Sequence, residues 1–239
     1  MDSTSFGKLY LIPNVVADDT QDVVIPQQVR NVLPGIQYFL AEDIRTARRF
    51  LSSLKLYSSI ESLHFEVLDK DTDVRALPAL FEPLLKGHNV GVLSESGCPG
   101  VADPGAVAVR YAHDHGIQVV PLVGPSSLLL ALMASGLNGQ RFAFHGYLPV
   151  EGKDAAKVIK DLERESRQKN QTQLFIETPY RNNSLLTLLV KNLADTTRLS
   201  VSVDLTGAGE QTITWPVKKW RTADVSFPKT PAVFLFLAI

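Results

Sequence analysis

A single cysteine, Cys98, stands in the 239 residues, so no disulfide can form within the chain and a fold stapled by cystines is excluded. Long apolar runs are also missing. The most apolar stretches, residues 128–133 and 233–239, fall far short of the roughly 20 residues needed to cross a bilayer. Neither sign of charge is in excess: 24 Lys and Arg against 25 Asp and Glu leave a formal net charge of -1. No global positive field draws the chain to nucleic acid, and RNA binding would need a local basic patch. No internal repeat or low-complexity tract occurs. The opening residues Met1 to Ser5 are polar, with no cationic region leading into an apolar run, which predicts no secretory leader. Together these absences predict a cytoplasmic protein with no membrane partner.

What is present is an ordinary globular composition, 45% hydrophobic and 21% charged, enough to bury a core in one large or two small domains. Residues 8–12 read as a buried strand closed by Pro13 and Asn14, and residues 37–41 as a second, followed by Glu42 and Asp43. Helical spacing over 44–54, with Arg45, Arg48 and Arg49 interleaved, predicts a helix there. A helix is expected over 76–85 despite two prolines, then a strand over 90–93, a loop over 94–105 and a helix over 106–115 ended by Gly116. Residues 117–123 read as a strand, and Ser126 as the cap of an apolar helix over 127–134.

Strands alternating with helices predict a mostly parallel sheet. After Pro149 the character changes. A long charged helix over 153–168, a strand over 173–177, a helix over 183–193, strands over 199–204 and 233–238, and a hairpin near Thr212 to Thr214 predict a mixed sheet. The fold class is therefore α/β in two domains, 1–122 and 123–239.

The densest candidate site is Ser94-Glu95-Ser96-Gly97-Cys98-Pro99-Gly100-Val101-Ala102-Asp103-Pro104-Gly105, leaving the carboxyl end of a predicted strand, the edge where open α/β sheets bind ligands. Its glycines let the backbone approach a ligand, and its prolines keep peptide groups free of helical pairing. A connecting turn whose glycines serve only geometry stays open as the plain alternative. The lysine and serine or threonine of a phosphate-binding loop are missing, and the spacing does not match a dinucleotide fingerprint.

Further along stand Val123-Gly124-Pro125-Ser126-Ser127, Ala134-Ser135-Gly136-Leu137, Phe144-His145-Gly146-Tyr147-Leu148-Pro149, Phe175-Ile176-Glu177-Thr178-Pro179-Tyr180-Arg181 and Pro231-Ala232-Val233. With Ala41-Glu42-Asp43-Ile44-Arg45 and the long loop, this order resembles the tetrapyrrole methylase superfamily, in the branch of the small-subunit ribosomal RNA ribose 2′-O-methyltransferases. The resemblance runs from about Gly7 to the C-terminus. It implies two α/β domains with S-adenosylmethionine, the methyl donor, in the cleft between them, and a homodimer.

Carried onto matching positions, the resemblance implies donor contacts from Pro13, Glu95, Val101, Ala102, Ser126 and Ser127, and from Ile176, Glu177, Thr206, Pro231 and Ala232. The chain departs from the branch at Ile12-Pro13-Asn14-Val15-Val16, which replaces a threonine-proline-isoleucine-glycine-asparagine loop. Glu95 stands for the usual aspartate and Cys98 for a threonine.

Methyl transfer from a sulfonium is an in-line displacement, served mostly by positioning. A ribose hydroxyl must also lose a proton, so Glu42, Asp43 and Asp103 are candidate bases, with Arg45 and Arg181 able to position an anionic substrate. Asp43 with Arg45 is the chosen catalytic pair; the plain alternative is that Asp43 merely caps the following helix. Cys98 reads as a small turn filler and His113-Asp114-His115 as a solvated helix end, so no metal site is predicted. Lys153, Lys157, Lys160, Arg164, Arg167 and Lys169 read as a solvated face interleaved with Asp161, Glu163 and Glu165.

The expected activity is methylation of small-subunit ribosomal RNA. The alternatives are methylation of a small molecule such as a tetrapyrrole, and a noncatalytic protein that binds the donor.

Overall fold

The computed structural model describes residues 6–239; the polar opening, 1–5, lies outside them. The chain divides after Ser126 into two units. In the first, the elements run β1 (Leu9–Ile12), α1 (Gln21–Val24), α2 (Gln27–Val32), β2 (Tyr38–Ala41), α3 (Ile44–Ser53), β3 (His64–Val67), α4 (Leu77–Leu80), α5 (Glu82–Leu85), β4 (Val90–Leu93), α6 (Gly105–Asp114) and β5 (Val119–Pro121). The five strands form a wholly parallel sheet in the order β3-β2-β4-β1-β5.

Burial explains the layers. β4 is buried at every position, as a strand covered on both faces must be. One face packs Ile12, Phe39 and Leu93 against Val29, Leu33, Phe50 and Leu51. The other packs Leu9, Val90 and Val92 against Phe81, Leu84, Ala108 and Ala112. The chain passes from β1 to β2 across one face and from β4 to β5 across the other. The loops after the central neighbours β1 and β4 therefore depart to opposite faces, the arrangement at whose carboxyl edge open α/β sheets bind ligands.

The second unit contains α7 (Ser127–Ser135), β6 (Phe142–Tyr147), α8 (Gly152–Lys169), β7 (Thr172–Glu177), α9 (Asn182–Asn192), β8 (Arg198–Val203), β9 (Gln211–Pro216), α10 (Val217–Trp220) and β10 (Ala232–Leu237). Its sheet is mixed, in the order β6-β7-β10-β8-β9, with β6 and β7 parallel and the other pairs antiparallel. Phe175, Phe234, Phe236, Leu199 and Val201 form a core with Ile159 of α8 and Leu185 and Leu189 of α9.

The two-domain α/β fold class holds: a parallel sheet in the first unit and a mixed one in the second. Several elements differ from expectation. The helix over 76–85 is two single turns that part at Phe81. Pro78 and Pro83 each lie at the start of a turn, where the missing N–H costs nothing, and so they divide the helix rather than continue it. The strand over 117–123 shortens to Val119–Pro121. On α8, Glu163 is not part of a solvated face: its carboxylate accepts from the Ala194 N–H at 2.8 Å and from the Thr197 hydroxyl. Arg164–Asp161 and Lys169–Glu165 do pair on the surface.

Candidate functional site

In the first unit the loops after β1, β4 and β5 are clasped at the carboxyl edge of the sheet. Asn14, 2% exposed, donates through Nδ2 to the carbonyls of Ser94 at 3.0 Å and Glu95 at 3.1 Å. Its backbone N–H donates to the Gly97 carbonyl at 2.8 Å, and the Gly97 N–H to the Val15 carbonyl at 3.4 Å. The Cys98 thiol lies 3.3 Å from the Pro125 carbonyl, joining the third loop. At Gly124 a Cβ would come within 2.0 Å of the Pro13 Cβ, so only glycine admits that ring so close.

The long loop has a fixed internal shape. Asp103 Oδ1 accepts from the Gly100 N–H at 2.5 Å and the Gly105 N–H at 2.8 Å, pinning both ends of a turn. Gly97 and Gly100 take φ of 69° and 83°, left-handed conformations that glycine adopts without steric cost. Ala102 takes φ of 60° without that freedom. Pro13 is buried, while Glu95, Val101 and Ala102 are exposed. The fold thus brings these four predicted residues to one edge. Burial first, then Asp103, pushes the Cys98 thiol above its ordinary pKa, which suits the expected turn filler better than a thiolate.

Asp43 and Arg45 sit where β2 passes into α3. Asp43 is the N-cap, its Oδ1 accepting from the Thr46 N–H at 2.6 Å, and this bond holds its carboxyl below the ordinary value. Arg45 is exposed and, among the described residues, forms no ion pair. Half-buried Glu42 precedes them; burial pushes its carboxyl up, helped by repulsion from Glu95, Asp103 and Asp69.

In the second unit, three segments meet at one sheet edge: the end of β7, the loop after β8 and the start of β10. Glu177 pairs with Ala232, Ala232 with Val203, and the Asp204 N–H donates to the Pro231 carbonyl at 3.2 Å. Glu177 has a side chain 1% exposed; its Oε1 accepts from the Thr178 N–H at 2.8 Å, and its Oε2 lies 3.3 Å from Arg181. Among the described residues, Asn182 Oδ1, Thr206 Oγ1 and Thr230 Oγ1 are buried without a hydrogen-bond partner, while Glu177 Oε2 lacks a hydrogen bond but keeps the ion pair to Arg181. Buried acceptors without donors are costly, so such atoms call for a partner.

Ile176, Glu177, Thr206, Pro231 and Ala232 are thereby gathered, although alternation along β7 turns Ile176 to the opposite sheet face from Glu177. Ser126 closes the first unit and Ser127 opens α7. Asn14 and Thr230 were not anticipated. A polar residue after a strand is common in turns, and only the fold supplies Asn14 with partners some 80 positions away.

A family model described as Tetrapyrrole (Corrin/Porphyrin) Methylases matches residues 19–220. A protein of Escherichia coli O157:H7 named Ribosomal RNA small subunit methyltransferase I is 31% identical over 86% of this chain and 68% of its own. Proteins of the same name from Bacillus subtilis and Vibrio cholerae are 28% and 30% identical over 92% and 72% of this chain. The chain spans 72% and 56% of the length of those two. Among solved structures, the methyltransferase CobJ matches with a TM-score of 0.61 at 15% identity, over 98% of this chain and all of its own. A uroporphyrin-III-C-methyltransferase from Thermus thermophilus matches with a TM-score of 0.54 at 17% identity, over 97% of this chain and 92% of its own. At such identities the structural likeness speaks to fold alone.

Proposed function

The chain belongs to the tetrapyrrole (corrin/porphyrin) methylase family and is an S-adenosylmethionine-dependent methyltransferase, and on that premise we propose that it methylates a ribose 2′-hydroxyl of small-subunit ribosomal RNA. The observation that carries this reading is the 31% identity, across most of the chain, to a protein named for that RNA. The test is transfer of labelled methyl from the donor to small ribosomal subunits or their RNA, followed by nuclease mapping of the ribose. A labelled 2′-O-methyl nucleotide supports the reading. Label that stays at background with both substrates, from protein that binds the donor, rejects it.

Candidate donor contacts lie in each unit taken by itself: Pro13, Glu95, Val101, Ala102 and Ser126 in the first, and Ser127, Ile176, Glu177, Thr206, Pro231 and Ala232 in the second. The buried Thr206 hydroxyl, which has no hydrogen-bond partner, supports its place in this assignment, because the donor's amino and hydroxyl groups offer a hydrogen it could accept. When bound, the donor supplies an electrophilic methyl on sulfur. The attacking ribose oxygen forms the new C–O bond as the S–C bond breaks, and its proton must leave.

Asp43 already commits one oxygen to its cap, so with Arg45 it serves to position the acceptor. Glu42, on the same edge and half-buried among carboxylates, is the better matched proton acceptor.

Two copies make the working molecule. Leu129 and Met133 of α7 and Phe142 and Tyr147 of the edge strand β6 leave apolar surface exposed, which a second copy would cover. Cys98 without a possible disulfide partner fits a reducing cytoplasm. Among the described residues no helix is long and apolar enough to cross a membrane.

A further inference from the structure

We propose that Tyr180 and Lys229 form a grip for single-stranded RNA, the phenol ring stacking on an unpaired base and the ammonium holding a neighbouring phosphate. This rests on the ribosomal RNA reading above and adds the surface that would seize the substrate. Three cation–π pairs occur among the described residues: Arg48 over Phe65, Lys219 over Trp215 and Lys229 over Tyr180. Phe65 and Trp215 are half-buried and pack against their respective cores. Tyr180 is 81% exposed, with the Lys229 ammonium 5.4 Å from its ring centre. Apart from the ammonium over one face, the Tyr180 ring is open to solvent, and among the described residues Lys229 has no carboxylate partner.

The two segments that carry these residues are fastened together. Asn182 Nδ2 donates to the carbonyls of Thr230 at 2.8 Å and Pro228 at 3.4 Å. Asn183 Nδ2 donates to the Phe227 carbonyl at 2.9 Å and its Oδ1 accepts from the Phe227 N–H at 2.8 Å. Tyr180 and Lys229 therefore come from one braced platform, and little ordering remains to be done on binding. Next to Tyr180, Arg181 is drawn back to Glu177, which leaves Lys229 as the cation beside the open ring. An exposed aromatic beside a free cation matches the two features of an unpaired nucleotide, a π face and a phosphate, on a chain whose net charge gives no general attraction to RNA. The platform also adjoins Glu177 and Pro231 in sequence, so a strand seized there lies within a few residues of groups assigned to the donor.

The test uses the full chain and a short fluorescein-labelled single-stranded RNA of mixed sequence, with anisotropy read across a salt series. Tyr180→Ala is expected to weaken binding about tenfold, and Tyr180→Phe to restore it, since the ring and not the hydroxyl stacks. Lys229→Ala is expected to lower the slope of log affinity against log salt by about 0.7, the share of one phosphate contact in a single strand. S-adenosylhomocysteine binding by calorimetry should stay at the wild-type value in all three. If wild type binds the RNA and Tyr180→Ala and Lys229→Ala bind it equally well, the grip is overturned while the RNA reading stands. If wild type binds no such RNA, the grip falls, and the ribosomal RNA reading is decided separately by methyl transfer to small subunits. If Tyr180→Ala loses only a polycarboxylated tetrapyrrole, the patch belongs to a small-molecule acceptor and the proposal fails.

Discussion

Thr206 combines two unfavourable features: φ of 69° on a β-branched residue and a buried hydroxyl oxygen with no partner. Each ordinarily costs about 1 kcal/mol or more, so their coincidence at one position marks a group kept for something other than folding. Thr206→Val keeps the shape and deletes the oxygen. Urea unfolding should show the variant as stable as wild type or more so, because an unsatisfied polar atom is gone. Calorimetry should show S-adenosylhomocysteine bound about tenfold more weakly, the effect of one hydrogen bond at a buried acceptor. Unchanged affinity would remove Thr206 from the donor site. At this scale the sequence is partly legible: the run of apolar residues shows that Pro13 and Asn14 end a strand, Pro13 enters the candidate site only through the family resemblance, and the role of Asn14 depends on carbonyls that only strand pairing brings beside it.

At the scale of elements, the junction of β2 and α3 holds two adjacent carboxylates whose pH responses oppose each other. The Asp43 carboxyl is held below its ordinary value near 3.8 by the bond from Thr46. Its contribution to α3 is therefore complete above that pH and is lost as pH falls through the folded value. Asp43→Ala should lower the melting temperature at neutral pH, with the deficit vanishing on acidification.

Glu42 is raised above its ordinary 4.5 by burial and its acidic neighbours, so its ionisation opposes folding as pH climbs through the raised value. Glu42→Gln should gain stability over wild type above that pH and match it below 4.5. Identical pH profiles for all three proteins would discard both assignments. Helical spacing made α3 and α8 readable in advance, and short continuous apolar runs did the same for β4 and β10. β3 and β6 were not, because both are edge strands with no fully buried position to betray a period of two.

For the whole molecule, alternating strands and helices foretold the parallel sheet, but not the order β3-β2-β4-β1-β5. That order follows from which strands are most completely buried, a property of the assembled layers. The apolar surface on α7 adds a test of assembly. Met133 is 77% exposed on a helix whose inner face, Ala131 and Leu132, packs away from solvent. Sedimentation should give twice the chain mass of 26.3 kDa for wild type and the single mass for Met133→Glu, with far-UV circular dichroism unchanged. A monomeric wild type would show that this face serves another purpose.

The left-handed Ala102 in the long loop has an energetic corollary. A glycine there would ease the backbone but would also widen the range of shapes open to the segment between Gly100 and Gly105. The methyl group narrows that freedom during folding, so in the proposed donor site part of the ordering cost of binding falls on the folded chain and not on the ligand. A ligand of the proposed site would therefore meet a segment whose shape is largely set beforehand.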